Sequence, residues 1–233
     1  MEHTNYEERY APQSVEDIVF SSDESKWLVR DIVSGSRPFP VFGKNGILLY
    51  GLNGTGKSAL AKLLPNAIEA VKTGGLAYER YVRVQVGNNG SAVIQRLQAQ
   101  AQTIPFASHH YFVLDEVDNL RDASMLSLKS LMNMPQTIFV MTTNNFGDIE
   151  RGVRDRCHCI PFNAAAPANW LPLARRMLAD ANITAVSDAQ ISAVIAPCNG
   201  SAREILDAIL SVILAAQRNM HCPAILKTVG AKV

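Results

Sequence analysis

At 233 residues the chain is long enough for one large domain or two small ones with an ample core. Its 48% hydrophobic and 18% charged residues are those of an ordinary globular protein, and a net charge of +1 confines any nucleic-acid surface to a local patch. Four cysteines make no disulfide framework, Cys157 and Cys159 have no second pair at zinc spacing, and no apolar run approaches the ~20 residues of a membrane span.

The start, MEHTNYEERY, is polar and acidic, so no signal peptide is expected and an intracellular, reducing compartment is the default. Thr4–Phe20 reads as an N-terminal arm: Pro12 makes Ala11 extended, and Ser14 with Glu16 and Asp17 can start a short helix. A helix is predicted over Glu24–Val33, broken by the Gly-Ser-Arg-Pro that ends at Pro38.

Gly46–Ser58, GILLYGLNGTGKS, is the most informative stretch. A short apolar run opens into a glycine-rich loop, and Lys57-Ser58 begins a helical segment; Gly51, Gly56, Lys57 and Ser58 match G-x-x-x-x-G-K-[ST]. Glycines let successive backbone N–H groups converge on phosphate oxygens, and the helix that follows adds its positive end. Lys57 then reaches the β- and γ-phosphates, and the Ser58 hydroxyl ligates Mg²⁺. This chain is expected to bind a nucleoside triphosphate.

Lys57–Leu64 reads as helix, with Pro65 either kinking or restarting it. Tyr81–Val86 alternates and is β-branched, hence a strand; Gly87–Gly90 turns, and Ser91 is placed as the cap of the next helix. His110–Leu114 is fully apolar, as a parallel strand buried on both faces must be, and Asp115-Glu116 follows it. At the carboxyl end of such a strand Asp115 can hold Mg²⁺ and Glu116 can polarise a water; the plainer alternative is an acidic helix cap.

Ala123–Met132 is predicted helical and Thr137–Thr142 a buried strand, with Asn144 at its carboxyl end. An amide there can hydrogen-bond the γ-phosphate or the attacking water, or serve as an ordinary turn residue. Arg151–Cys157 is a basic cluster, either a solvated face or an arginine presented to a neighbour's γ-phosphate, and Cys157–Phe162 is a last strand. From Ala164 the character turns Ala-rich and helical, over Ala168–Ala179, Ser187–Ile195 and Ser201–Ala216. Arg203 lies in a first turn, where the helix dipole disfavours a cation.

With these motifs in this order the sequence resembles an AAA+ ATPase, and within that family the ATPase subunits of sliding-clamp loaders, over roughly residues 5–216. YEERYAPQSVEDIV is similar to the family's arm, which folds over the adenine and implies contacts from Tyr10, Pro12, Ile18 and Val19. GLNGTGKS corresponds to the Walker A loop, with Gly51, Asn53, Gly54, Thr55, Gly56, Lys57, Ser58 and Ala59 around the phosphates, and FVLDEVD to the Walker B box. The resemblance makes Ser58 and Asp115 the Mg²⁺ residues, Glu116 the catalytic carboxylate, Asn144 sensor 1, Arg156 a finger acting in trans, and Arg203 sensor 2.

It implies an α/β P-loop domain with a parallel five-stranded sheet over residues 1–163 (arm 1–20), an all-helical lid over 164–216 and a tail over 217–233. It further implies ATP and Mg²⁺ as cofactors, assembly into a homo- or hetero-oligomer, and a sliding clamp on primed DNA as partner, with no membrane. Four departures stand out. Ala11 replaces the arm's arginine, and Gln95, with Arg96 beside it, replaces an arginine of the DNA-tracking segment. Asp155 precedes the finger and is expected to pair with Arg154 or Arg156, holding it back until assembly. Residues 217–233 are too few for the family's collar domain. A collar-less AAA+ protein could instead load a helicase, regulate transposition or recombination, or remodel a protein; a third reading is an assembly module with little hydrolysis. The expected location is the cytoplasm, the host's if the chain is phage-encoded, or a nucleus.

Overall fold

Apolar runs of four to seven residues are too short to bury themselves as helices, and here they line up as strands. The computed structural model describes residues 6–221. In chain order it contains α1 (Tyr6–Tyr10), α2 (Asp23–Val33), β1 (Gly46–Tyr50), α3 (Lys57–Thr73), β2 (Arg80–Arg83), α4 (Ser91–Ala101), β3 (His110–Asp115), α5 (Asp122–Leu131), β4 (Thr137–Thr143), α6 (Arg151–Asp155), β5 (Cys157–Pro161), α7 (Pro167–Asp180), α8 (Asp188–Ile195) and α9 (Ala202–His221). The five strands form one sheet in the order β2-β3-β4-β1-β5, every neighbouring pair parallel.

The strand period of two divides the core between the two faces of this sheet. Ile47, Leu49, Tyr111, Val113, Ile138 and Val140 point to the side covered by α2, α3 and the arm residues Val15, Ile18 and Phe20. Leu48, Phe112, Leu114, Phe139 and Met141 point to the side covered by α4 and α5. The central strands β3 and β4 are buried throughout, whereas the edge strand β2 carries two arginines and stays largely exposed. Charge on an edge discourages pairing with another chain.

Four local expectations need correction. α3 runs unbroken through Pro65, which is buried in its ninth position, so the proline does not restart it. The cap of α4 is Gly90, and Ser91 is its first helical residue with no side-chain cap bond. β2 ends at Arg83 instead of Val86, because Gln85 and Asn88 pair with each other and turn the chain away. The expected tail, 217–233, continues α9 as far as His221, and the remainder lies outside the described residues.

The chain divides at Asn163 and Ala164. In the second unit α7, α8 and α9 bury Trp170, Ala174, Met177, Ile191, Ile195, Ile205, Ile209 and Ile213. A capping box between Ser187 and Gln190 starts α8, and Arg175 reaches across to Asp188 at 2.5 Å.

In the first unit a buried carboxylate fastens α3 to the sheet. Glu69 accepts from Thr73 Oγ1 at 2.7 Å, from the Ser108 N–H at 2.9 Å, from the Ser108 hydroxyl, and from the Tyr111 hydroxyl at 2.8 Å. Burial pushes the Glu69 pKa up, but the bonds from Ser108, Thr73 and Tyr111 outweigh it and hold the group below the ordinary value of 4.5. A folded-state pKa below the unfolded one stabilises the protein above the unfolded pKa, and that stability is lost as pH falls through the folded value. Glu69→Gln is therefore expected to lower stability at neutral pH by about 1–3 kcal/mol. The gap to wild type should close in denaturant titrations taken stepwise below the ordinary glutamate pKa, and a constant gap would contradict the assignment.

Candidate nucleotide site at the carboxyl ends of the strands

β1 emerges between β4 and β5 and turns at once into the loop Gly51–Gly56. Gly51 has φ +141°, and a Cβ there would lie 2.5 Å from the Phe162 carbonyl oxygen. Gly56, at φ +101°, is the left-handed N-cap of α3, a conformation that disfavours any residue with a side chain. The Gly51 N–H donates to the Thr143 carbonyl at 3.3 Å, which ties the loop to the end of β4. The backbone thus opens at the amino end of a 17-residue helix, where N–H groups and the helix dipole favour an anion.

Lys57 is only 6% exposed and folds back over the loop. Its Nζ donates to the carbonyls of Gly51 at 2.9 Å and Leu52 at 2.6 Å. Burial lowers its pKa, opposed by the charges of Asp115, Asp118 and Glu116. Asp115, at the end of β3, is the most heavily bonded group of the site. Its Oδ1 accepts from Ser58 Oγ at 2.8 Å and Thr142 Oγ1 at 2.5 Å, and its Oδ2 accepts from the Tyr81 hydroxyl at 2.8 Å. Burial alone would raise its pKa, but the bonds from Thr142, Ser58 and Tyr81 hold it below the ordinary value, so the group stays a carboxylate.

Glu116 follows with φ +59°, ψ +49°, a left-handed conformation uncommon for a residue with a long side chain. Its N–H donates to Thr142 Oγ1 at 2.9 Å. Its carboxylate accepts from Arg83 Nη2 at 2.8 Å, an ion pair at the end of β2. Asp118 Oδ1 is buried and has no hydrogen-bond partner within the described residues. Asn144 sits directly after β4, half-buried, beside the strand that feeds the loop.

The donor set fits a magnesium–nucleotide pair. Ser58 and Asp115 offer hard oxygens, and no group of three His, Cys, Asp or Glu residues gathers at a metal spacing among the described residues. An ion here would complete its shell from phosphate and water, as Mg²⁺ does. Sequence reasoning missed Tyr81, Arg83 and Thr142. The alternation in Tyr81-Val-Arg83 was visible, but only the pairing of β2 with β3 sets Tyr81 and Arg83 beside the two carboxylates.

Not all predicted residues come together here. In the arm, Tyr10 and Ile18 are buried, Pro12 and Val19 are half-buried, and the turn Val15–Asp17 packs against α3. Arg203 is exposed in the first turn of α9, in the second unit. Arg156 lies at the opposite end of the sheet: its carbonyl accepts from the N–H groups of Asn45 at 3.1 Å and Gly46 at 3.0 Å, just before β1 begins. The five residues of β1, at ~3.3 Å each, put roughly 16 Å between it and the loop. Its Nε donates to Asn133 Oδ1 at 2.9 Å and its Nη1 to the Gly152 carbonyl at 2.8 Å. The expected pairing of Asp155 with Arg154 or Arg156 is not found. Asp155 faces Arg151 at 3.8 Å, one helical turn away on α6, and Arg154 lies 5.1 Å over the Phe146 ring.

Comparison with known proteins agrees with this geometry. Residues 47–162 match the family model of the ATPase family associated with various cellular activities (AAA). The chain is 22% identical over 205 residues to a probable replication factor C subunit 2 of Dictyostelium discoideum, covering 86% of this chain and 58% of that relative. Among solved structures it is similar to the Thermotoga maritima RuvB Holliday junction branch migration motor (TM-score 0.60, 16% identity, 85% of this chain and 63% of the other). It is also similar to AMPPCP-bound DnaA from Aquifex aeolicus (TM-score 0.60, 14% identity, 90% and 68%). The chain thus spans less than two thirds of the curated relative's length. With its parallel five-stranded sheet, its phosphate loop and this match from β1 to the end of β5, the α/β unit carries an AAA ATPase domain over residues 47–162.

Proposed function

We propose that this protein hydrolyses ATP as one subunit of an AAA+ assembly and uses the cycle to handle a DNA-replication partner, in the manner of a clamp loader. One observation carries the assembly half: Lys57, Ser58, Asp115 and Glu116 lie at one end of the sheet and Arg156 at the other. A single chain cannot close that distance on itself. A neighbouring chain can, each subunit giving its arginine to the phosphates of the next around a ring or spiral.

In this reading Lys57 leaves the Gly51 and Leu52 carbonyls for phosphate oxygens, Ser58 and Asp115 hold Mg²⁺, and Asn144 orients the γ-phosphate or the water. The ion would supply charge neutralisation on the transferred phosphoryl group. Glu116 is the base that polarises water, and it must first leave Arg83. Arg203 reports the nucleotide to the helical unit, and Tyr10, Pro12, Ile18 and Val19 of the arm enclose the adenine.

Two surfaces support a partner beyond ATP. Arg80, Arg83, Asn88 and Arg96 line one cleft between β2 and α4, suited to nucleic-acid phosphates. Tyr78 and Phe106, strongly exposed and 6.3 Å apart, with exposed Ile104 nearby in sequence, offer apolar surface to a protein. No helix among the described residues is long and apolar enough to cross a membrane.

Steady-state ATPase with and without primed DNA is the decisive measurement. Glu116→Gln should lower turnover by ~10²–10⁴-fold while ATP binding persists. Arg156→Ala should cost ~10³–10⁵-fold in the assembled protein, again with ATP still bound; loss of binding instead would place Arg156 in its own subunit's site. Arg83→Ala should free Glu116 and raise the rate without DNA while shrinking the stimulation by DNA. Equal rates in wild type and Glu116→Gln would refute hydrolysis by this site.

A further inference from the structure

Two residues apart on β2, Tyr81 and Arg83 project from the same face of the strand toward the ends of β3. Arg83 takes Glu116; Tyr81 takes Asp115. The second contact has no place in the scheme above, and its geometry is specific.

A carboxylate turns broadly about its last side-chain bond, so donors on one oxygen alone do not fix its plane. Ser58 and Thr142 both donate to Oδ1 of Asp115, from α3 and from β4. Tyr81 is the donor on Oδ2, at 2.8 Å. Its ring is held from outside by Lys62 of α3, whose ammonium lies 4.8 Å over the ring centroid. A phenol keeps its proton at neutral pH and a carboxylate oxygen only accepts, so Tyr81 is the donor in this bond.

We propose that Tyr81 is a positioning residue of the nucleotide site: its phenol pins Oδ2 of Asp115 so that Oδ1 stays turned toward Ser58 and the Mg²⁺ of a bound nucleotide. This rests on the reading of Asp115 as the metal-facing carboxylate. Partners that orient a ligating group from behind are worth about 10–100-fold in metal affinity. They leave metal-independent contacts untouched.

The test measures binding of a fluorescent ATP analogue to the full chain against Mg²⁺ concentration, and Mn²⁺ uptake by electron paramagnetic resonance with a non-hydrolysable analogue present. Tyr81→Phe removes one hydroxyl from a partly exposed edge residue. It should bind the analogue in EDTA as wild type does, yet need on the order of 10–100-fold more Mg²⁺ for metal-dependent tightening, with Mn²⁺ weakened in step. Asp115→Asn should also shift the Mg²⁺ midpoint, and the double variant should be no worse than Asp115→Asn alone. If Asp115→Asn shifts the midpoint and Tyr81→Phe does not, the role of Tyr81 is refuted and the metal reading stands. Additive losses in the double variant would show that Tyr81 acts through the fold and not through Asp115, which also overturns the proposal. If Asp115→Asn leaves the midpoint unchanged, the metal reading falls and this inference falls with it.

Discussion

A charge left at the end of a fully buried strand has to be surrounded by donors, and Asp115 is that charge. Water cannot solvate it, so the fold supplies hydroxyls from three separate elements: Ser58 from α3, Thr142 from β4 and Tyr81 from β2. Removing one donor from such a group leaves part of the desolvation penalty unopposed. The carboxylate therefore ties three strands, β2, β3 and β4, and the helix α3 together at the place where the phosphate loop opens. Ser58 follows Lys57 directly, so the same contact sets the first turn of α3 beneath the glycine loop.

The end of the sheet that carries this cluster also holds left-handed backbone. Gly51 and Gly56 take left-handed φ values that glycine tolerates, but Glu116 does so with a full side chain. In this conformation the Glu116 carboxylate meets Arg83. Two adjacent carboxylates thereby serve different ends: one is buried and hydroxyl-bonded, the other is on the surface and paired with an arginine.

Most of this was legible in the sequence wherever the cause is local. The apolar runs of β1, β3 and β4, the glycines of the loop, and the placement of Asp115 at the end of one strand and Asn144 after another all follow from short-range pattern. What escaped is set by neighbours distant in sequence. Tyr81 and Arg83 meet Asp115 and Glu116 only because β2 pairs with β3, a non-local choice that no window of residues reports. The partner of Asp155 was misjudged for the opposite reason. Sequence adjacency suggested Arg154 or Arg156, whereas on a helical turn the neighbour in space is four residues back, Arg151. The cap of α4 likewise went to Gly90 because Ser91 had already entered the helix.

The carbonyl of Arg156 takes two N–H groups at the foot of β1, and the head of β1 is the phosphate loop. Gly46 makes this junction tight, since a Cβ there would lie 2.5 Å from Cys157 Sγ. All five residues of β1 pair with β4 on one flank and β5 on the other, so the spacing between the Arg156 backbone and the glycine loop is set by one uninterrupted strand.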